Sequence, residues 1–323
     1  MKILVTGAAG FIGSNFVRMV ATGHLQGISG IQVLDKLTYA GVKENLISAE
    51  NSPGYQFIQG DICDPDQVSQ LISQVDAVVN FAAESHVDRS ISGAADFVQT
   101  NIVGVQVLLD AIKASGRSIR FLQVSTDEVY GSIEEGSWTE EWPLLPNSPY
   151  SASKASGELL ARSYYRTHGM DIVITRSSNN YGTHHYPEKL IPLFITNLIE
   201  GKKVPVYGTG ENVRDWLHVD DHCRGINQVL MNGRSGEVYN IGGGRELTNN
   251  EITSLILNAM GADETWIEYV EDRKGHDLRY SVDWTKINRE LGYEPQVKFE
   301  DGLRETIQWY RDNEAWWKPL KNR

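Results

Sequence analysis

Cysteine is scarce in this chain of 323 residues: only Cys63 and Cys223 occur, and neither lies at the spacing of a metal-ligand set or a redox pair. A disulfide-built fold is excluded, and two reduced thiols are the expectation. Positive charge is also short, since 30 Lys and Arg against 42 Asp and Glu leave a formal charge of −12. That balance disfavours a nucleic acid or an anionic membrane surface as partner, while leaving room for a local basic pocket that takes a phosphate. No run of about 18 apolar residues occurs, so no transmembrane span is expected. The apolar start MKILVTGAAGF breaks at Gly7, too early for the core of a signal peptide. Repeats, low-complexity tracts and linkers are missing too. The expectation is a soluble, cytoplasmic protein of ordinary globular composition, 41% hydrophobic and 22% charged.

What is present is an alternation of periods. Short β-branched runs at 2–6, 31–35, 55–59, 77–82, 119–125 and 171–176 read as strands buried on both faces. Amphipathic stretches between them, including 93–115 and 149–168, supply the crossovers. The pattern predicts an α/β fold: a doubly wound parallel (Rossmann-type) sheet over 1–176, with a smaller mixed α/β domain over 177–323. In the second part, helices are expected near 188–200, 218–232 and 249–260 and strands near 204–207 and 237–241. A last helix is expected at about 300–313, and a segment of about 208–245 can return to the large domain.

The first strand runs into GAAGFIG, which places Gly7, Gly10 and Gly13 before a helix. Glycines there allow a tight turn and let backbone N–H groups approach a pyrophosphate at the helix N-terminus. Asp35, 22 residues after Gly13 at the end of the second strand, is placed to accept hydrogen bonds from an adenosine ribose. It would also repel a 2′-phosphate, which favours NAD over NADP; the adjacent Lys36 works against that preference. Asp61, in the GDI that ends the third strand, fits either the adenine edge or a helix cap.

In NSPYSASKASGELL, Ser148 is a helix cap and Pro149 a first-turn residue. Tyr150 and Lys154 then share one helical face. A phenol is a weak base at neutral pH, and a nearby ammonium together with a nicotinamide cation favours its phenolate. Following a dinucleotide turn, and with Ser125 ending an earlier strand, the pair points to hydride transfer. Asp127 and Glu128 in VSTDEVYG are neighbours, so both reach one ligand only if the strand ends near Ser125 and the chain turns. Otherwise they are a solvated turn. Two carboxylates this close push one pKa up, which suits an acid and a base without saying which is which.

GAAGFIG, FAAESHVD, STDEVYG and YSASK, in this order, resemble the extended short-chain dehydrogenase/reductase superfamily. More narrowly the chain is similar to the dTDP-glucose 4,6-dehydratase family from residue 1 to about residue 285. The similarity includes DKLTYAG, SSNNYG, PEKLIPLFI, GTGENVRDWLHVDDH and DRKGHDLRY. The resemblance implies a tightly bound NAD+ that is regenerated in each turnover. It implies C4 oxidation of a dTDP-glucose substrate with Tyr150 as base and Thr126 on the 4-oxygen. Glu128 then removes the C5 proton, Asp127 protonates the departing C6 hydroxyl, and hydride returns to C6. Around NAD the resemblance implies Gly7, Gly10, Phe11, Ile12, Gly13, Asp35, Lys36, Thr38, Gly41, Asp61, Ile62, Ala82, Ala83, Thr100, Ser125, Tyr150, Lys154 and Asn180. Around substrate it implies Ser85, Thr126, Asn179, Glu188, Lys189, Leu190, Pro205, Tyr207, Arg214, Asn249, Arg273 and His276. Residues 1–176 become the NAD-binding domain and 177–323 mainly the sugar-nucleotide domain. Helices 93–115 and 149–168 resemble those with which the family forms a homodimer.

His184 and His185 are adjacent without a third ligand, so no metal site is expected, and their loop GTHHYPEK departs from the family's Gly-Pro. His86 fits a structural role as well as a place beside substrate. An epimerase or decarboxylase of the same superfamily would keep the glycine turn, Tyr150 and Lys154 but has no need of the Asp127–Glu128 pair. A related dehydratase would differ in the nucleotide base. A non-catalytic NAD sensor would need neither the pair nor Tyr150.

Overall fold

The computed structural model describes residues 1–321. In chain order the strands are β1 (Lys2–Thr6), β2 (Gly30–Asp35), β3 (Tyr55–Gln59), β4 (Ala77–Asn80), β5 (Arg120–Thr126), β6 (Ile172–Ser177), β7 (Asn179–Tyr181), β8 (Val204–Tyr207), β9 (Val213–His218), β10 (Val238–Ile241), β11 (Glu246–Thr248) and β12 (Ile267–Val270). The α-helices are α1 (Phe11–Ala21), α2 (Pro65–Ile72), α3 (Val87–Ser92), α4 (Ala95–Val98), α5 (Val105–Ala114), α6 (Pro149–His168), α7 (Leu190–Ile199), α8 (Val219–Asn232), α9 (Asn249–Met260), α10 (Thr285–Leu291), α11 (Phe299–Asp312) and α12 (Glu314–Lys321).

Seven strands form one parallel sheet in the order β10-β6-β5-β4-β1-β2-β3. Helices cover both of its faces, so β4 and β6 are buried at every residue instead of alternating between core and solvent. Phe16 and Val17 of α1 share one core with Val219, Ile226 and Val229 of α8, and Cys223 fills part of it as a small apolar residue. Leu108 and Leu109 of α5 pack with Val68 of α2 and Ala161 of α6 on the other side. Strand order reverses at β1, flanked by β4 and β2, and an open α/β sheet leaves its crevice above such a point.

The rest of the chain builds a smaller body with its own core. It contains the mixed sheet β11-β9-β7, the pair β12-β8, and a cluster that joins Trp216, Ile252, Leu303 and Trp317. Between 208 and 245 the chain divides its contribution: β9 belongs to the small sheet, whereas α8 and β10 join the large one.

Several boundaries differ from the sequence expectation by a residue or two, and four differences have an identifiable cause or consequence. The helix expected at 93–115 is α4, a π-helical stretch Gln99–Gly104 and then α5. The wider turn brings Asn101 to the backbone of Glu84 and to Ser153 of α6, contacts that hydrophobic periodicity does not encode. The strand expected to reach 82 stops at Asn80, because Ala82 crosses over Gly7. β5 runs through Thr126, one residue past the expected end at Ser125. The helix near 300–313 is not the last: α12 follows it despite Pro319, held by the buried side chains of Trp317 and Leu320. Trp317→Ala is expected to lower the unfolding free energy by about 3–5 kcal/mol, read as an earlier urea transition.

Candidate active site

The turn after β1 is set by contact. Gly7 has φ +64°, and a Cβ there would lie 2.5 Å from the Ala82 nitrogen; one on Gly13 would lie 2.5 Å from the Gly7 oxygen. Only hydrogen fits at either place. Asp35 ends β2 with its carboxylate accepting from Ala9 N and Leu37 N, both at 2.8 Å. Burial raises its pKa against the pull of those two N–H groups. Lys36 is turned to Asp61, 2.8 Å away, so its charge is spent on that partner. The cap of α2 is Asp64 rather than Asp61. Every position expected at the cofactor lines a single cavity of about 310 Å³. Gly7, Gly10, Phe11, Ile12 and Gly13 form its floor; Asp35, Lys36, Thr38, Gly41, Asp61 and Ile62 lie toward one end, and Ala82, Ala83, Thr100, Ser125, Tyr150, Lys154 and Asn180 complete it. A cradle that no Cβ could enter, followed by a buried carboxylate, fits a dinucleotide.

Ser148 and Ser151 form a capping box with Pro149 in the first turn of α6, which fixes how Tyr150 and Lys154 enter the crevice. Lys154 Nζ donates to the Val124 carbonyl at 2.8 Å, and burial lowers its pKa to about 8. Tyr150 is pushed above its ordinary range by burial, then by Glu128 and Asp127, with the Thr126 hydroxyl pulling the other way. The expectation pairs the Lys154 ammonium with a nicotinamide cation; in the protein alone, burial and the two carboxylates favour the protonated phenol.

A 3-10 helix, Asp127–Tyr130, starts directly after β5 and brings the two acids together where a continuing strand would splay them apart. The Thr126 hydroxyl caps it, accepting from Glu128 N at 3.3 Å and donating to Asp127 Oδ1 at 3.2 Å. Asp127 is 1% exposed and its Oδ2 has no partner. Burial raises its pKa well above the carboxylate range, helped by Glu128 and Asp215 and opposed by Arg214 and the Thr126 hydroxyl. Burial raises Glu128 too, but Lys189, Arg214 and Arg273 all oppose it. The pair is thus divided electrostatically, with Asp127 the better proton holder and Glu128 the better carboxylate.

A second cavity of about 300 Å³ adjoins the first at Glu128, Asn179, Asn180, His185, Glu188 and Lys189. Leu190, Pro205, Tyr207, Arg214, Asn249, Arg273 and His276 line it, together with the shared Asn179, Glu188 and Lys189. Ser85 and Thr126 lie on the dinucleotide side. Arg214 is held by the carbonyls of Val213 at 2.7 Å and Asp277 at 2.9 Å, with its guanidinium 4.2 Å from the Tyr280 ring centroid. Arg273 lies over the Tyr207 ring and 3.4 Å from Asp88. Lys189 donates to Ser85 O at 3.1 Å. Three cations on an acidic chain thus face one pocket, as a diphosphate requires.

Sequence reading passed over Asp277 and Tyr280, which lie within the quoted DRKGHDLRY and line the same cavity. It also left the GTHHYPEK loop open. His185 stacks on Phe11 with centroids 4.0 Å apart and lines both cavities, while His184, at φ +63°, packs against Trp309 and Trp316. His86 caps α3 and lies 3.6 Å from Glu188. Among the described residues no group of three His, Cys, Asp or Glu is placed for a metal ion.

A glycine turn at a topological switch point, with Tyr150 and Lys154 one helical turn apart beside a second cationic cavity, defines a dinucleotide-dependent enzyme of the short-chain dehydrogenase/reductase type. The chain belongs to the GDP-mannose 4,6 dehydratase family, whose model matches residues 4–306. It is 59% identical over 324 residues to a dTDP-glucose 4,6-dehydratase of Streptomyces niveus, covering 100% of this chain and 96% of that one. The solved structure of DesIV, a dTDP-glucose 4,6-dehydratase from Streptomyces venezuelae with NAD bound, superposes with a TM-score of 0.97 at 56% identity, covering 99% of this chain and 100% of that one. A UDP-glucuronic acid 4-epimerase from Bacillus cereus shares the fold at a TM-score of 0.89 and 31% identity, covering 97% of this chain and 99% of that one.

Gly7→Ala is expected to purify with little or no dinucleotide, because its Cβ would displace the Ala82 backbone; nucleotide content after denaturation measures this. The histidines give a second expectation. Burial lowers His184 and His222 from 6.5 to about 3. The unfolded chain therefore takes up protons that the folded chain refuses, and stability present above pH 6.5 is lost as pH falls toward 3. Urea midpoints should drop between about pH 7.5 and about pH 5. An unchanged midpoint would mean that these rings accept protons while folded.

Proposed function

We propose that the chain is an NAD-dependent hydro-lyase that converts dTDP-D-glucose to dTDP-4-keto-6-deoxy-D-glucose in deoxysugar biosynthesis. The observation that carries this reading is the Asp127–Glu128 pair at the junction of the two cavities, beside Tyr150. An enzyme that only oxidises and reduces C4 has no work for that pair, and relatives 56–59% identical to the chain carry the dTDP-glucose 4,6-dehydratase name.

Gly7, Gly10 and Gly13 would cradle the NAD pyrophosphate, Asp35 the adenosine ribose, and Lys154 the nicotinamide ribose. When bound, NAD+ accepts hydride from C4 and returns it to C6, and its positive ring favours the Tyr150 phenolate. Tyr150 takes the proton of the 4-hydroxyl while Thr126 holds the 4-oxygen. The ketone so formed acidifies C5–H. Glu128, flanked by three cations, removes that proton, and Asp127, kept protonated by burial, delivers one to the C6 hydroxyl as it leaves as water. C5 then regains a proton, so the net change is loss of water without net oxidation. Lys189, Arg214 and Arg273 neutralise the diphosphate.

Residues 1–176, with the return through α8 and β10, act as the NAD-binding domain, and 177–323 mainly as the sugar-nucleotide domain. Two copies pair through the region of α4, α5 and α6, where Val98 and Leu159 stand 46% and 54% exposed without an apolar partner layer of their own. The two free thiols fit a cytoplasmic location.

Incubation with dTDP-glucose and no added cofactor is expected to give the alkali-induced absorbance of a 4-keto-6-deoxy sugar. No product, with UDP-galactose epimerised instead, would overturn the reading. Glu128→Gln should reduce its bound cofactor but stall before water leaves; normal turnover would remove Glu128 from the mechanism.

A further inference from the structure

One buried ion pair lies outside both cavities and takes no part in the chemistry above. Arg176, near the end of β6, and Glu158, on α6, are 6% and 1% exposed. Arg176 donates from Nε and Nη2 to Glu158 Oε2 at 2.9 and 2.7 Å. Its Nη1 donates to the Tyr130 hydroxyl at 2.7 Å, and that hydroxyl donates to Asn240 Oδ1 of β10 at 2.9 Å. The guanidinium also lies 4.7 Å from the centroid of the Tyr130 ring, which stacks on the indole of Trp138 with centroids 5.1 Å apart.

Burying such a pair gains little over packing apolar side chains of the same size, so its benefit is sought in geometry. The elements it joins are the two halves of the site. Tyr130 closes the 3-10 helix that carries Asp127 and Glu128. Glu158 lies four residues beyond Lys154 and eight beyond Tyr150 on α6, close to the same face. Lys154 Nζ reaches only Val124, before the 3-10 helix begins. Ala155 of α6 packs with Val129 and Tyr130, and the polar tie from α6 to the far end of that helix runs from Glu158 through Arg176 to the Tyr130 hydroxyl.

Resting on the dehydratase reading, we propose that Tyr130 is a positioning residue: its hydroxyl, fixed by Arg176 and Glu158, holds Asp127 and Glu128 in register with Tyr150. One sugar then meets the base for C4 and the acid pair for C5 and C6 without moving. Oxidation depends on Tyr150 of α6, on Thr126 at the end of β5 and on the dinucleotide, none of which hangs on the Tyr130 hydroxyl, whereas elimination depends on the orientation of the short 3-10 helix. Loosening Tyr130 separates the two steps.

Tyr130→Phe in the holoenzyme tests this, since the ring keeps its stacking on Trp138. With dTDP-glucose, kcat is expected to fall about tenfold to a hundredfold while KM stays within about twofold. In a single turnover the reduced-cofactor absorbance should rise at the wild-type rate and then persist instead of decaying. Arg176→Lys, which keeps the charge opposite Glu158 but lacks the planar fork, should show the same persistence and decides the matter if the phenylalanine variant does not fold. Wild-type decay in either variant, or equal slowing of both steps, overturns the positioning role alone. A wild-type protein that converts no dTDP-glucose overturns the dehydratase reading and the positioning role with it.

Discussion

Two adjacent carboxylates taken out of water at the end of β5 are the constraint on which the rest of the site depends. Burial raises both, and a charge on Glu128 raises Asp127 further. A chain can keep such a pair only by placing cations beside one member, and Lys189, Arg214 and Arg273 stand around Glu128. The same cations line the pocket proposed to take a diphosphate, so on that reading one electrostatic arrangement would serve binding and proton transfer together.

The pair also reaches Tyr150. Its phenol is pushed up by burial and by both acids, and Lys154 is pushed down toward neutrality by the same dry surroundings. Tyr150 therefore keeps its proton in these surroundings, and a positively charged nicotinamide would favour its release. Cofactor binding and base activation are in this way one event. Arg176 and Glu158 repeat the logic away from the ligand, where paired burial fixes the position of the turn that carries the acids.

Much of the fold was legible because its signals are local. β1, β3 and β8, and the helices α6 and α9, fall at the bounds read from periodicity, capping and glycine, since each is a run of one period with a stop residue at its end. The π-helical stretch at Gln99–Gly104 was not legible: its reason is a set of contacts from Asn101 to Glu84 and Ser153, both far along the chain. α12 was hidden by Pro319, a residue that normally stops helices, and was formed by burial of Trp317 and Leu320. In the site, motif positions could be named individually. Asp277 and Tyr280 escaped because they act through their hold on Arg214, which no spacing reveals.

By itself the sequence determined the parallel doubly wound sheet, the dinucleotide turn and the types of chemistry available. Period, glycine placement and residue identity are properties of short segments, and they survive without a partner. Only the tertiary structure shows which carboxylate the cations favour in its charged form, because Lys189, Arg214 and Arg273, which act on Glu128, lie between 61 and 145 residues beyond it in the chain. It also decided where the acids point. β5 ends at Thr126 and a 3-10 helix begins at Asp127, so neighbours that a strand would send to opposite faces reach one ligand.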